Sequence, residues 1–340
     1  MYNKIKIKTN RKERSSVKHK QTELTKKAAS KSAFRQVLKD IWMDKSLYLM
    51  FLPVIIYYLV FRFWPMYGVI IAFKKYNIYD GISKSPWVGL ANFRQFFSSA
   101  YAWRLVRNTL YISLYDIVFG FTAPIIFALL LNEVRSVKFK RTIQTISYLP
   151  HFISTVVVVS MLVNFLSLNN GIINNIIELC GGKRIYFMTD PSYFRGLYTA
   201  MNVWKGVGWG AIIYIAALSG IDPTLYEAAT IDGASRFGRI WHVTIPGIMT
   251  TIITMLLLKI GHLLDVGYES IILMYNEKLY ETADIISTYV YRTGILGNGG
   301  LTRPNYSLAT AVGLFQSAIG MILVVFANKA SKKFTESALW

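Results

Sequence analysis

Polar and aromatic side chains recur at helical spacing within two otherwise apolar stretches of this sequence. Ionisable and polar residues inside such stretches normally face a pathway or the interior of a helix bundle. Aromatic rings beside hydrogen-bonding groups suit sugars, which present both C–H patches and hydroxyls. We therefore predict that two sets line a pathway for a polar solute: Tyr198, Asn202, Lys205 and Trp209 within about 60° on one helix face, and Lys259, His262 and Asp265.

Two purely structural roles remain possible for the same residues. Lys205 and Lys259 can pair with acidic side chains, or extend their ammonium groups to an interface. Tyr198, Asn202 and Trp209 can instead pack against a partner subunit. Spacing alone does not separate these roles from solute binding.

Signatures of covalent catalysis are missing from the sequence. There is no G-x-x-x-x-G-K-[ST] phosphate-binding loop. The four histidines are scattered, and neither H-E-x-x-H nor G-x-S-x-G occurs. The segment GVGWG at Gly206–Gly210 follows no strand, and we interpret its glycines as allowing close helix packing. The single cysteine, Cys180, excludes an intrachain disulfide and a cysteine metal cluster. We expect no catalytic residue, no metal site and no cofactor in this chain.

The elements that position these residues are membrane spans. The chain has 340 residues, of which 53% are hydrophobic and 16% charged. A typical soluble domain carries about 25% charged residues, so this composition indicates an all-α polytopic membrane protein. Six runs approach the roughly 20 apolar residues that cross a bilayer: Leu47–Tyr67, Leu110–Leu131, Ser147–Leu168, Leu197–Gly220, Val243–Asp265 and Leu308–Asn328.

The distribution of positive charge predicts the orientation of these spans. The net charge of +20 could indicate binding to nucleic acid, but the charges are unevenly distributed. Residues 1–46 contain 14 Lys and Arg, and the other loops on the same side of the membrane as these residues contain nine more. The longer opposite loops hold 12. Cytoplasmic loops are enriched in Lys and Arg, so we expect both termini in the cytoplasm and no nucleic-acid partner.

The chain divides by composition into four predicted regions. Residues 1–33 form a basic cytoplasmic tail, predicted to be disordered and attracted to anionic membrane lipid. Residues 34–45 have the apolar period of an amphipathic helix lying in the membrane interface. Residues 46–330 form the transmembrane domain, and residues 331–340 a cytoplasmic C-terminal tail.

A polar segment between the fourth and fifth spans, residues 221–246, predicts a helical elbow. Asp222 and Pro223 are a strong helix start, because Asp caps and Pro fits the first helical position. Gly233 is expected to end this helix. A second short helix is predicted from Ser235 to Trp241. Positive charges place the elbow in the cytoplasm.

The elbow resembles the EAA loop of permeases in binding-protein-dependent ABC importers. The likeness lies in EAA at Glu227–Ala229, the following D-G-A, and the later I-P that ends in Pro246. FRFWPMYGVIIAFKKYN, WVGLANF, DIISTYVYRTG and TAVGLFQS further resemble the polysaccharide-type (LplB-like) branch of carbohydrate permeases. Residues that the resemblance assigns to coupling with an ATPase are Glu227, Ala228, Ala229, Asp232, Gly233, Ala234, Phe237 and Pro246.

The resemblance implies a type I importer with several subunits in the cytoplasmic membrane of a bacterial cell. A second homologous permease would complete a heterodimer, and two cytosolic ABC ATPase subunits would hold ATP and magnesium. An extracellular solute-binding protein would deliver an oligosaccharide. Two alternatives remain: an ABC permease for a non-sugar solute, and an ATP-independent carrier. No inverted repeat of the kind found in many carriers is visible in the sequence.

Overall fold

The structure is a computed structural model that describes residues 43–297 and 303–335. The basic tail and residues 34–42 of the predicted interfacial helix lie outside the described residues. Within the described ranges the backbone is almost entirely helical, and the sole β pairing is the antiparallel bridge between Lys74 and Trp87.

The chain separates into two units, Met1–Gly68 and Val69–Trp340. The first helix, α1, covers Lys45–Phe73 and has a wide π-turn at Leu59–Phe63. Pro53 lies inside it. A proline in a membrane helix is tolerated where local adjustments satisfy the freed backbone groups.

Among the described residues of the second unit, twelve further helices follow, apart from short turns at Gly81–Lys84 and between Glu277 and Ala283 and a π-turn at Arg292–Leu296. They are α2 Ala91–Phe97, α3 Ala102–Asn132, α4 Val137–Phe152, α5 Thr155–Phe165, α6 Ile172–Leu179, α7 Pro191–Ser219, α8 Pro223–Ile231, α9 Arg236–Gly247, α10 Met249–Gly261, α11 Tyr268–Met274, α12 Ile286–Tyr291 and α13 Tyr306–Thr335.

The helices confirm the predicted all-α membrane fold. Among the described residues, α1, α3 and α13 are each long and apolar enough to cross a membrane. Three bent pairs, α4 with α5, α7 with α8, and α9 with α10, raise the number of possible spans to six.

The structure corrects two of the predicted spans. Ser147–Leu168 is not one helix, because the chain bends by 98° between α4 and α5. Ile153 and Ser154 are extended there, and the Ser154 hydroxyl accepts a hydrogen bond from the Val157 N–H to start the new helix. Helix α5 has only 11 residues, or about 16 Å.

The fifth predicted span, Val243–Asp265, is also broken. Helix α9 extends from the elbow to Gly247, beyond the predicted end at Trp241. The chain then bends by 62° at Ile248, a buried residue whose backbone leaves the helical region.

Helix α7 is the centre of the packing. It contacts α3, α4 and α10, and its buried residues contribute to two of the three hydrophobic clusters. A Cβ atom added to Gly208 would overlap the carbonyl group of Ser147 in α4, and one added to Gly210 would lie 3.0 Å from Pro124. The GVGWG segment therefore allows close helix approach, as the sequence predicts.

Candidate functional site

The elbow begins with a capped helix. The Asp222 carboxylate accepts a hydrogen bond of 2.9 Å from the Thr224 N–H, and Pro223 occupies the first turn of α8. Hydrogen bonds from the backbone and side chain of Thr224 hold the pKa of Asp222 below its ordinary value. Both features of the predicted helix start are confirmed.

The end of α8 is equally well defined. Gly233 has φ of 78°, in the left-handed region that favours glycine. The Gly233 N–H donates to the carbonyl of Thr230, and the Ala234 N–H donates to that of Ala229. This pair of bonds is the Schellman arrangement, which satisfies the last carbonyls of a helix.

Side-chain hydrogen bonds hold the two arms of the elbow together. The Tyr226 hydroxyl donates to Thr244 Oγ1 at 3.1 Å, and Arg239 donates to Thr230 Oγ1 at 2.9 Å. Since Thr244 is buried, the elbow is tied into the protein at its base.

Three large apolar side chains of the elbow are exposed despite its polar composition. Ile231, Phe237 and Trp241 are 87%, 84% and 69% exposed. Large exposed apolar side chains of this kind mark interaction surfaces. Of the remaining residues assigned to coupling, Glu227, Ala228, Asp232, Gly233 and Pro246 are exposed, whereas Ala229 and Ala234 are half-buried.

Tyr198 differs from the rest of its predicted set. It is 5% exposed and belongs to the hydrophobic core, where its ring stacks on Phe194 at 6.0 Å. Its hydroxyl lies 3.5 Å from the Gly267 carbonyl and within hydrogen-bonding reach of the Asn202 side chain. The tyrosine thus packs within its own chain and supports Asn202, which is half-buried.

Trp209 lies at the bend between α4 and α5. Its ring stacks on His151 with centroids 4.6 Å apart and an interplanar angle of 2°, and it meets Phe152 edge to face. Trp209 remains nearly half exposed in this arrangement. A partly exposed aromatic ring that a neighbour holds in place is a suitable contact for the C–H face of a sugar ring.

The two lysines have different partners. Lys205 donates to the Thr155 hydroxyl at 2.8 Å, at the start of α5. Lys259 forms an ion pair with Asp116, with 2.5 Å between Nζ and Oδ2. The acid-pairing role left open by the sequence therefore applies to Lys259.

His262 and Asp265 follow α10 and are both exposed. Asp265 lines a cavity of 660 Å³ together with Tyr268, Tyr291 and Gln316. This cavity lies between the segment after α10, α12 and α13, and its lining combines tyrosine rings with amide and carboxylate groups.

Sequence reasoning missed three residues of these arrangements. Asp116 is an acid inside an apolar run, a signal that would have identified it. His151 and Thr155 gain their contacts only through the bend, which composition does not reveal. In the described part of the chain, no group of three or more His, Cys, Asp or Glu residues is arranged to hold a metal ion.

Comparison with known proteins adds independent findings. The family model described as "Binding-protein-dependent transport system inner membrane component" matches residues 120–334. Protein LplB of Bacillus subtilis (strain 168) is 46% identical over 87% of this chain and 92% of its own length. The polygalacturonan/rhamnogalacturonan transport system permease protein YteP of the same bacterium is 42% identical over 90% of this chain and 94% of its own.

Solved structures of ABC transporters also match this chain. A chain of a bacterial ABC transporter involved in the import of the acidic polysaccharide alginate matches with 43% sequence identity and a TM-score of 0.81. The match covers 88% of the present chain and 99% of that chain. A second structure of an alginate transporter, in complex with an alginate pentasaccharide-bound periplasmic protein, matches with 42% identity and the same TM-score.

Proposed function

Because this chain belongs to the family of binding-protein-dependent transport system inner membrane components, we propose that it moves oligosaccharides into the cytoplasm by alternating access, driven by ATP hydrolysis on separate subunits. It is a permease of the sugar ABC importers, and thus a transport component rather than an enzyme. Its fold is that of type I importer permeases.

The exposed apolar surface of the elbow is the observation that carries the coupling role. Phe237 and Ile231 expose most of their side chains, and the charged Glu227 is exposed on the same elbow. The capped helix, the left-handed Gly233 and the two side-chain ties fix this surface in one shape. A rigid, partly apolar projection suits a groove on an ATPase and would transmit its movement to α7 and α10.

The remaining partners in this proposal follow from ATP hydrolysis on separate subunits. ATP and magnesium would bind two cytosolic ATPase subunits, since this sequence has no phosphate-binding loop. A second permease subunit would complete the pathway, and an extracellular binding protein would deliver the glycan. Coupling to a cytosolic ATPase requires the elbow, and with it both termini, to lie in the cytoplasm.

Six of the seven predicted pathway residues form the translocation surface in this proposal, and the buried Tyr198 supports Asn202. Trp209, braced by His151, would stack on a sugar ring, and Asn202 would bond to hydroxyls. Lys205 and the Lys259–Asp116 pair supply further polar groups on neighbouring helices. His262 and Asp265 stay predictions for the same pathway.

The coupling role is tested by co-purifying the ATPase with elbow variants. Gly233→Val forces a β-branched residue into a left-handed conformation, at a cost of about 1 kcal/mol or more, and Glu227→Lys reverses an exposed charge. We expect both variants to reach the membrane but to lose the ATPase during purification.

Matched controls come from elsewhere in the chain. Gly181 has a similar φ of 82°, and a Cβ there would meet nothing within 4 Å. Glu133 is an exposed glutamate just after α3. Gly181→Val and Glu133→Lys should retain the ATPase. Normal ATPase recovery with Gly233→Val would show that the elbow is not the coupling element.

A further inference from the structure

Four arginines cluster near the end of α7 opposite the elbow. Two of them share one carboxylate: Asp284, which is fully buried, accepts hydrogen bonds from Arg292 at 2.9 Å and from Arg104 at 3.2 Å. The Asp284 carboxylate therefore has its charge partners within the protein. The Arg104–Asp284–Arg292 group is a structural brace between α3 and the chain around α12.

The other two arginines, Arg107 and Arg195, form no ion pair with any described carboxylate. Arg107 donates to the backbone carbonyl of Glu281 at 3.1 Å, and Arg195 donates to Asn108 Oδ1 at 3.0 Å. The Nε atom of each is buried without a hydrogen-bond partner. Their positive charges repel each other, and the Glu281 carboxylate attracts Arg195 electrostatically.

The position of Arg195 connects this pair to the proposed pathway. Arg195, Asn202 and Trp209 follow at intervals of seven residues on α7, so they lie within about 40° of one another on the helix surface. The Arg195 guanidinium lies over the ring of Tyr111, 4.6 Å from its centroid. The face of α7 that we propose to bind sugar therefore ends, on the side away from the elbow, at Arg195, with Arg107 and Tyr111 of α3 near it.

We propose that Arg107 and Arg195 bind a carboxylate of the transported glycan, so that the substrate is an acidic, uronate-containing oligosaccharide. This inference rests on the proposed transport function and specifies its substrate. Cations within a membrane protein are normally paired, and guanidinium groups match a carboxylate with two parallel hydrogen bonds. A uronate also offers its C–H face to Tyr111. A neutral sugar would leave both charges unpaired.

The test uses the complete transporter, with its ATPase, partner permease and own binding protein, in proteoliposomes. Uptake of trigalacturonate and trimannuronate is compared with uptake of their neutral methyl esters. We expect the wild-type transporter to prefer the charged glycans. Arg107→Gln and Arg195→Gln should each raise the KM for uptake of the charged glycans roughly 10- to 100-fold. Uptake of the esters should change little, and Arg195→Lys should recover part of the loss.

Arg94→Gln, which removes an exposed arginine on α2, is the control and should match wild type. Equal losses for charged and neutral glycans, no difference between the test variants and Arg94→Gln, or wild-type uptake of neutral glycans alone would overturn the inference. Losses that appear only in anionic lipid would also overturn the inference, because they would show that Arg107 and Arg195 bind lipid phosphate. If wild type carries no glycan of either kind, the proposed sugar transport itself fails instead.

Discussion

At the scale of single residues, Trp209 and His151 give the clearest prediction. Their parallel rings lie across the bend between α4 and α5. Trp209→Ala removes the stacking surface offered to a sugar, and we expect the KM for glycan uptake to rise about tenfold. His151→Ala should give a smaller rise, because it removes only the brace.

Uptake kinetics in proteoliposomes measure both effects, with complex assembly followed by gel filtration. Trp204 provides the control, because it is similarly exposed on α7 but lines a small apolar pocket with Met201 and Phe165 instead. Trp204→Ala should leave the KM near that of wild type. A wild-type KM in Trp209→Ala would move the sugar contact elsewhere.

The Lys259–Asp116 ion pair leads to a second residue-scale prediction. Lys259→Met leaves Asp116 charged and unpaired within the helix bundle, which should destabilise the protein by about 1–3 kcal/mol. The double variant Asp116→Asn with Lys259→Met removes both charges and should recover most of the lost thermal stability. The thermal aggregation temperature of the purified chain measures this stability. Equal losses of stability in the single and double variants would show that the ion pair does not stabilise the protein.

Residue-level prediction from the sequence succeeded where the contact is local. Asp222, Pro223 and Gly233 act on neighbouring backbone, so their types alone indicate a capped helix and its end. The partners of Lys259 and Trp209 are far away in sequence and depend on how helices meet. The ion-paired role of Lys259 was one of two options that the sequence left open.

At the scale of elements, the crossing of α7 and α4 depends on one glycine. A side chain at Gly208 would overlap the Ser147 backbone, which cannot move as a side chain tip can. Gly208→Val should therefore force the helices apart and lower the free energy of unfolding by about 1–3 kcal/mol.

Gly206 is the matched control, because it lies two residues away on the same helix and a Cβ there would meet nothing within 4 Å. Thermal aggregation of the two variants in detergent separates the effect of packing from that of helix propensity. Equal stability of Gly208→Val and Gly206→Val would contradict the close approach.

The bends within two predicted spans mark the limit of sequence reasoning about elements. Apolar composition reports that a segment avoids water but not the direction in which it runs. The apolar run Ser147–Leu168 predicts one span, but Ser154 within it is a helix-capping residue type and marks the break. The break at Ile248 also has a marker, because the helix-interrupting pair Pro246–Gly247 directly precedes it, and the Ile248 side chain is buried there.

At the scale of the whole molecule, the positive-inside pattern predicts which loops face the cytoplasm. The native Cys180 is exposed, and it follows α6 on the side predicted to be extracellular. A membrane-impermeant maleimide should label it in intact cells. In a Cys180→Ser background, Ser235→Cys in the elbow should label only in inside-out vesicles, and labelling in intact cells would reverse the topology.

The architecture of the molecule was largely predictable, because six apolar runs, a basic side and the EAA segment are each visible in the chain itself. The pairing of α3, α7 and α10 into one surface was not, since it depends on which helix faces meet. Arg107 and Arg195 illustrate this: nearly ninety residues separate them, and only the fold brings their charges together.

Glycan uptake into proteoliposomes that carry the complete transporter tests the central claim most directly. The binding protein and glycan are supplied outside, ATP is enclosed within, and ionophores collapse ion gradients. We expect uptake to require ATP, to persist with ionophores, and to disappear when the ATPase subunits are omitted. Uptake by the permease without ATPase subunits, abolished by ionophores, would show an ion-driven carrier and contradict the account.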